Sequence, residues 1–436
     1  MTKLRMLYSS NAFWSNSGYG VQGRSLLPRL AELPEFGGRQ NIANFAWYGL
    51  NGGCHTVDGF KIYPAGADAY GNDVIDSHTR DFGANIVVTL IDVWVLKQTA
   101  QKIAPALWCP WLPIDHDPVP QMFLDSLEGA HMPITYSKWG RDMLAAAGVD
   151  NVYIPHGVEP DVYKVIPDID AVRKFKREVL RTTGHLTVMV AANKGYPDRK
   201  AFQVQFRAWA EFAKDKPDAR LYVHTEPTPM YGGIDLVRLA HACGIADKIM
   251  FPDRYQYHKG LPPEFLAMVY NAADVFMGNS MSEGFGIPLI EAQACGVPVI
   301  TTDFSAMPEL VRWGYKITPA DMFWSPMGAW QAWPDKNGIV DALGALHDAW
   351  LSNGKSWAMQ SRLKTSAKIH NEFGWDAIVR DHWAPFMAKI AEQAPPLAGQ
   401  EVATLAPEPA QQRTTKREAK ITPISINDLP EVLEAA

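Results

Sequence analysis

The chain is short of the features that mark several protein classes. Its four cysteines, Cys54, Cys109, Cys243 and Cys295, contain no CxxC pair, which argues against a disulfide framework and a zinc site. Each lies in or beside an apolar run, so buried reduced thiols in a reducing, cytoplasmic compartment are expected. Charged residues make up only 20% of the chain and the net charge is −6, so there is no general polyanion-binding signature. No apolar run reaches the roughly 18 residues of a membrane span. The opening MTKLRMLYSSNAFW also lacks the apolar core of a signal peptide, and a soluble protein with no membrane span is expected.

What is present is apolar mass. With 436 residues, 47% of them hydrophobic, the chain exceeds the roughly 250–300 residues at which single cores stop growing, so two domains are expected. Short runs rich in Val, Ile and aromatics alternate with helical-period stretches, the pattern of parallel sheets covered by helices. Strands are expected at 5–9, 41–47, 85–91, 106–112, 132–136 and 151–154. A second series is expected at 186–191, 220–224, 248–251, 274–277 and 297–301. The stretch HGVEPDVYKVIPDID, residues 156–170, carries no periodicity and reads as the connection between two tandem doubly wound sheets. Beyond about residue 336 the pattern is helical, with segments at 338–351, 355–372 and 375–392, the last amphipathic. From Ala394 onward the composition becomes that of a disordered tail, with DLPEVLEAA as a docking segment for a partner.

The run NSMSEGFGIPLIEAQACGVPVITT, residues 279–302, reads as one strand–loop–helix–strand unit. Pro288 suits the first helical turn and Gly296 the stop. Ligands of such units bind beyond the strand ends, where free helix N–H groups attract anions. Glu283 on the loop and Glu291 inside the helix therefore flank an anion site. Acids there accept hydrogen bonds from hydroxyl groups beside a phosphate, as in a sugar. Spacing alone also admits an ordinary loop acid and a solvated helix residue. A glycosidase pair would need the two acids to face each other across the substrate.

The run EGFGIPLIEAQACGVPVI resembles the E-x7-E signature of retaining glycosyltransferases of the GT-B fold, glycosyltransferase family 4 in particular. That resemblance implies two Rossmann-like domains facing across a cleft: residues 1–157 on the acceptor side and 158–374 on the donor side. A helix at 375–392 would pack back on the first domain, and 393–436 would form a flexible tail. It implies that Glu291 binds the ribose of a nucleotide sugar and Glu283 the donor sugar, with Phe285, Gly286 and Ile287 lining the donor. ANKGYPDRKAFQVQFRAW, residues 192–209, is similar to the segment that clamps the donor diphosphate, here Arg199 and Lys200 with Asn193 at the strand end. The family has an Arg near Asn193 or Lys194, where this chain has none. Two cations at a helix start oppose its dipole, which a bound polyanion would offset. Arg254 and Tyr255 fall where the nucleobase would rest.

In SNAFWSNSGYGVQGRS, Gly18 and Gly20 let the backbone approach a ligand closely, and the segment resembles the family's first loop. Asp115, His116 and Asp117 in WLPIDHDPVPQ look like the DxD metal motif of the other glycosyltransferase fold. GT-B enzymes instead neutralise the diphosphate with basic groups, so this loop is read as facing sugar and acceptor, and no metal is expected. Asp115 or His116 matches the family's active-site histidine region, and Asp92 and Asp117 are further acceptor-side candidates. The expected activity is transfer of a hexose from a UDP- or GDP-linked donor, with no cofactor beyond that co-substrate. The acceptor is open among glycan, lipid and small molecule. The SGYG opening is also similar to phage-encoded members, which would admit a protein or a modified DNA base and place the enzyme in a host cytoplasm. A same-fold epimerase or phosphorylase, and a noncatalytic binding protein, are the competing readings.

Overall fold

A computed structural model describes residues 3–194, 198–229 and 232–397. The first sheet comprises β1 (Met6–Asn11), β2 (Ile42–Tyr48), β3 (His55–Val57), β4 (Phe60–Tyr63), β5 (Ile86–Leu90), β6 (Leu107–Leu112), β7 (Ile134–Thr135) and β8 (Val152–Tyr153), in spatial order β3-β4-β2-β1-β5-β6-β7-β8. All neighbours are parallel except β3 and β4. The second sheet is wholly parallel, with order β11-β10-β9-β12-β13-β14. Its strands are β9 (Leu186–Val190), β10 (Arg220–His224), β11 (Ile249–Met250), β12 (Val275–Gly278), β13 (Val299–Thr302) and β14 (Gly314–Ile317). An antiparallel hairpin, β15 (Asp321–Trp324) and β16 (Trp330–Trp333), follows.

Helices α1 (Gly18–Ala31), α2 (Ile75–Phe82), α3 (Thr99–Ile103), α4 (Gln121–Ser126) and α5 (Lys138–Ala146) connect the strands of the first sheet. Helices α6 (Ile169–Glu178), α7 (Phe202–Phe212), α8 (Leu236–Ala242), α9 (Arg254–Lys259), α10 (Pro263–Ala272), α11 (Ile287–Ala294) and α12 (Lys336–Ser352) belong with the second. The chain closes with α13 (Met359–Phe373), α14 (Trp375–Ile378) and α15 (Ala384–Gln393). Near-continuous burial of β1, β5 and β13 reflects sheets covered on both faces. This is the α/β architecture with two parallel sheets expected from the alternation.

Several expectations are corrected. The last helix is not continuous: a π turn at Val379–Trp383 separates α14 from α15. Pro385, lacking an N–H and crowding the carbonyl four residues earlier, accounts for the break. Trp383 then wedges edge-on against Trp111 of β6, 5.1 Å between ring centres, and Arg29 of α1 pairs with Asp376 at 2.7 Å. Ala394 and Pro395 do not begin a free tail: the Ala394 N–H donates to the Ile390 carbonyl at 2.8 Å, and Asn85 Nδ2 donates to the Pro395 carbonyl at 2.9 Å. The remaining tail and its DLPEVLEAA segment lie outside the described residues. Cys109 and Cys295 are buried, but Cys54 is exposed and Cys243 partly so. Among the described residues no helix is long and apolar enough to cross a membrane.

Candidate active site

The carboxyl ends of the two parallel sheets meet. A Cβ added to Gly284, beyond β12, would come within 2.3 Å of Pro113 Cβ, beyond β6, and one added to Gly260 within 1.9 Å of Asn16 Nδ2, beyond β1. Asp117 and Trp330 exchange backbone hydrogen bonds of 3.2 and 2.7 Å. Glu309 accepts from the Lys138 and Trp139 N–H groups at 3.0 and 3.2 Å, capping α5 from the opposite domain.

Between these contacts lies a cluster of charge. After β9, Asp198 and Ala201 adopt φ of +94° and +50°, which non-glycine residues rarely accept and which marks stored strain. Asp198 caps α7 by accepting from the Gln203 N–H at 3.1 Å, and burial pushes its carboxyl up to about 6. The turn thus holds Arg199 and Lys200 fixed between its ends. Their carbonyls are pinned too: Arg199 O accepts from the Met281 N–H at 2.9 Å and Lys200 O from Gln205 Nε2 at 2.8 Å.

Glu283 receives both cations. Arg199 lies 3.3 Å from its carboxylate, Lys200 bonds the other oxygen, and Ser280 Oγ donates at 2.6 Å. Burial works against the Glu283 carboxylate, yet Lys200 and Arg199 override it and hold it near about 2. Lys200 responds in the opposite sense to simple pairing: burial and the adjacent Arg199 outweigh Glu283 and lower it to about 8. The geometry favours the ion pair at neutral pH, with Lys200 the side that yields as pH rises.

From the first domain, Asp115 approaches Arg199 to 4.0 Å and binds His116 Nδ1 at 2.7 Å. Burial opposes the Asp115 charge, but His116 and Arg199 bring its carboxyl below the ordinary range. Asp92, just beyond β5, is raised by burial and by Asp115, with Arg199 and Lys194 opposing. Gly18 and Gly20 open α1, whose N-cap Ser17 accepts from the Gly20 N–H at 3.1 Å. The structure therefore brings together Arg199, Lys200, Glu283, Asp92, Asp115 and His116.

Other expected site residues stand elsewhere. Asn193 is spent internally: its Nδ2 donates to the carbonyls of Glu226, Thr228 and Ile234, and its Oδ1 accepts from the Ile234 N–H. Arg254 turns to Glu226 at 3.3 Å, a residue the sequence reading missed, and His258 Nε2 meets the same carboxylate at 2.6 Å. Tyr255 is 71% exposed, and Tyr257, on the same helix, packs edge-on against His224. The Phe285 ring is buried against His156 and Phe373, leaving only its backbone to face a ligand. Gly286 (φ +114°) and Ile287 open α11. Asp117 is exposed and held to the hairpin through its backbone.

Glu291 is set apart from the charge cluster. One helical turn past Ile287, it is buried and accepts from Tyr270 of α10 at 3.0 Å. Burial raises it to about 7, with Tyr270 and Tyr163 opposing. Eight positions along a loop and a helix turn the two glutamates to different sides, which spacing alone does not reveal. Among the described residues no group of three His, Cys, Asp or Glu side chains converges as a metal cage.

Comparison with known proteins bears on this geometry. Residues 185–330, from β9 through β15 to the first residue of β16, match the family model "Glycosyl transferases group 1". A D-inositol 3-phosphate glycosyltransferase of Rhodococcus opacus is 33% identical over 179 residues, 38% of this chain. One from Nocardia farcinica is 38% identical over 120 residues, 26% of this chain. The aligned stretches span 38% and 25% of those relatives' own lengths. Sucrose-phosphate synthase from Thermosynechococcus elongatus superposes with a TM-score of 0.66 at 17% identity, over 89% of this chain and 98% of its own. Anabaena HepE in complex with UDP-glucose gives 0.63 at 14% identity, over 89% and 100%. The fold is that of the GT-B glycosyltransferases, and the segment carrying Arg199, Lys200 and Glu283 matches a glycosyl transferases group 1 domain.

Proposed function

We propose that this protein is a retaining, metal-independent glycosyltransferase that moves a hexose from a nucleoside diphosphate sugar, UDP- or GDP-linked, to an acceptor hydroxyl. The observation that carries the reading is the strained turn after β9, which fixes Arg199 and Lys200 against Glu283 and under Asp115 of the other sheet. Two immobilised cations at a strand end suit a leaving diphosphate. The UDP-glucose of the Anabaena neighbour supports a nucleotide-sugar donor, and the four unpaired cysteines fit a reducing cytoplasm.

In the reaction, the bond between the sugar C1 and the diphosphate oxygen breaks and its electron pair stays on the diphosphate. The acceptor oxygen forms the new bond to C1 on the same face and its proton passes to the departing diphosphate. Arg199 and Lys200 neutralise the growing negative charge, which is worth most in a site closed to water. Glu283 holds both cations in place and presents its remaining lone pairs to donor sugar hydroxyls. Asp115, with His116 behind it, orients the sugar from the opposite side, and Asp92 and Asp117 face the acceptor. The first loop at Gly18 and Gly20 and the start of α11 at Gly286 and Ile287 line the donor. Glu291 serves the ribose by exchanging its tyrosine partners for ribose hydroxyls, and the α9 region around Arg254 and Tyr255 borders the base.

Thermal-shift titration with UDP-, GDP- and ADP-sugars tests this reading, since selective binding raises the melting temperature by linkage. Release of nucleoside diphosphate should then depend on an added acceptor, which separates transfer from epimerisation. If no donor shifts the melting temperature and Lys200→Met behaves as wild type with every donor, the reading is wrong.

A further inference from the structure

The acceptor side carries an unusual surface. Six exposed aromatic side chains gather there: Trp14 (37%), Tyr48 (58%), Tyr70 (37%), Trp94 (36%), Trp324 (52%) and Trp330 (42%). Tyr48 is the last residue of β2, and Trp14, Tyr70 and Trp94 follow the carboxyl ends of β1, β4 and β5, the same side of the sheet as Asp92. The other two face each other across the β15–β16 hairpin, 4.8 Å between ring centres.

The supporting loops form one rim. The Ala12 N–H donates to the Tyr48 carbonyl at 2.8 Å, and the Ala65 N–H to the Leu50 carbonyl at 3.0 Å. Trp47 packs edge-on against Tyr70 at 5.8 Å. Asn72 accepts from the Lys97 N–H at 2.8 Å and donates to the Val95 carbonyl at 3.0 Å, joining the Tyr70 loop to that of Trp94. Val93, Val95, Val119 and Phe123 share one buried cluster, on which Met327 of the hairpin packs. The backbone pairing of Asp117 with Trp330 closes the path at the cleft.

Cations on this rim are few, and two that reach it from flanking helices are spent on its backbone: Lys102 donates to the Asn72 carbonyl at 2.7 Å and Arg24 to the Phe13 carbonyl at 3.0 Å. Segments 12–17, 47–54, 64–74, 92–98 and 325–329 contain Lys97 as their sole Lys or Arg. Asp68 and Asp73 are spent on the N–H groups of Tyr70, Asn72 and Ala67. A phosphorylated polyol or a nucleic acid requires cations where it lies, and an anionic membrane surface favours basic flanks around its anchors. Flat rings interspersed with the exposed neutral amides of Asn16 and Asn51 suit a ligand with apolar C–H faces and a rim of hydroxyls.

Resting on the transferase reading, we propose that the acceptor is an uncharged oligosaccharide or polysaccharide chain. It lies across this aromatic rim with its terminal hydroxyl delivered to the cleft beside Asp92 and Asp117.

The full chain tests this by nucleoside diphosphate release, using the donor with the largest thermal shift and ladders of neutral glucan, mannan and galactan oligosaccharides. Sugar phosphates and phosphatidylglycerol vesicles serve as the alternative acceptors. At least one neutral ladder should stimulate release, with acceptor KM falling about tenfold from monosaccharide to tetrasaccharide as more rings stack. The double variant Trp14→Ala/Tyr48→Ala should raise acceptor KM about tenfold at little cost in kcat, and Trp14→Phe/Tyr48→Phe should restore it. The proposal falls if sugar phosphates or vesicles are the better acceptors, if no neutral ladder stimulates release, or if the double variant matches wild type. A donor thermal shift without any glycan effect overturns the acceptor assignment alone, whereas absence of any donor shift overturns the transferase reading with it.

Discussion

The carboxylate of Glu283 is the common partner of Lys200 and of Arg199, the latter at 3.3 Å. Replacing it with glutamine keeps the shape and removes the charge, leaving two mostly shielded cations unbalanced. Glu283→Gln should lower transfer by at least roughly 100-fold, because the cations lose their alignment on the diphosphate. It should also cost about 1–3 kcal/mol of stability. The Glu283 carboxyl is held near about 2 against an ordinary 4.5. Its contribution is therefore present above 4.5 and lost as pH falls toward 2. Lys200, lowered by burial from 10.5 to about 8, has the opposite arm: its buried charge costs stability below about 8, and that cost is relieved as pH rises from about 8 toward 10.5. A double-mutant cycle with Lys200→Met, read by urea unfolding, checks the coupling; purely additive effects would show that the pair does not act as a unit.

Glu291 has the opposite pH signature. Burial raises its carboxyl from 4.5 to about 7, so the unfolded chain releases this proton first. Stability from this group falls as pH rises from 4.5 and the loss is complete above about 7. Glu291→Gln should abolish that loss, making the variant more stable than wild type at pH 8 by roughly 1–3 kcal/mol while equal at pH 4. If ribose hydroxyls bind here, they favour the ionised carboxylate and donor binding releases a proton. Calorimetry at pH 6.5 in buffers of different ionisation enthalpy should detect that release in wild type and not in the variant. Equal proton release in both would remove Glu291 from the donor site.

Gly18 and Gly20 are separable despite their proximity. A Cβ at Gly20 would stand 2.2 Å from Ser15 Oγ and 2.5 Å from the Ser15 carbonyl, whereas one at Gly18 meets nothing within 4 Å. Gly20→Ala should displace the first loop and lower the melting temperature, with a cost of about 1–3 kcal/mol. Gly18→Ala should raise stability by about 0.4–1 kcal/mol through the unfolded chain. It should weaken donor binding only if ligand and backbone meet at that helix start. Differential scanning calorimetry of the two variants decides the stability signs, and donor titration decides the binding.

What was legible in the sequence followed physical range. Periodicity located β10 at residues 220–224 and α11 at Ile287–Ala294 with both ends, because Pro288 and Gly296 punctuate α11 locally. It missed β3 and β4, although Asp58 and Gly59, both at positive φ, form the two-residue turn that announces a hairpin. It also missed β15 and β16, whose outward Trp324 and Trp330 disguise the alternation of a half-buried pair. The acidic and basic members of the charge cluster were visible as motifs, but their pairing was not. Arg199 and Glu283 are joined by tertiary folding, and the sequence places Glu283 equally well beside Glu291. Asp198 was readable as a helix cap five residues before Gln203, whereas Glu226 and Glu309 depend on partners brought from distant segments.

Glu309 offers a test of how tightly the two sheets are held. Its two carboxylate oxygens accept from the Lys138 and Trp139 N–H groups at the start of α5, while Ser137 Oγ caps the Gly140 N–H of the same turn. The helix thus takes one cap from its own domain and one from across the cleft, where a carboxylate also complements the helix dipole. Glu309→Ala removes the second cap and leaves the first, so α5 itself should persist. The expected result is a loss of about 0.5–2 kcal/mol in stability together with easier separation of the domains. Small-angle scattering should show a larger radius of gyration for the variant, and donor addition should reduce it toward the wild-type value. A variant with unchanged scattering but lowered stability would confine Glu309 to helix capping, with no part in holding the cleft closed.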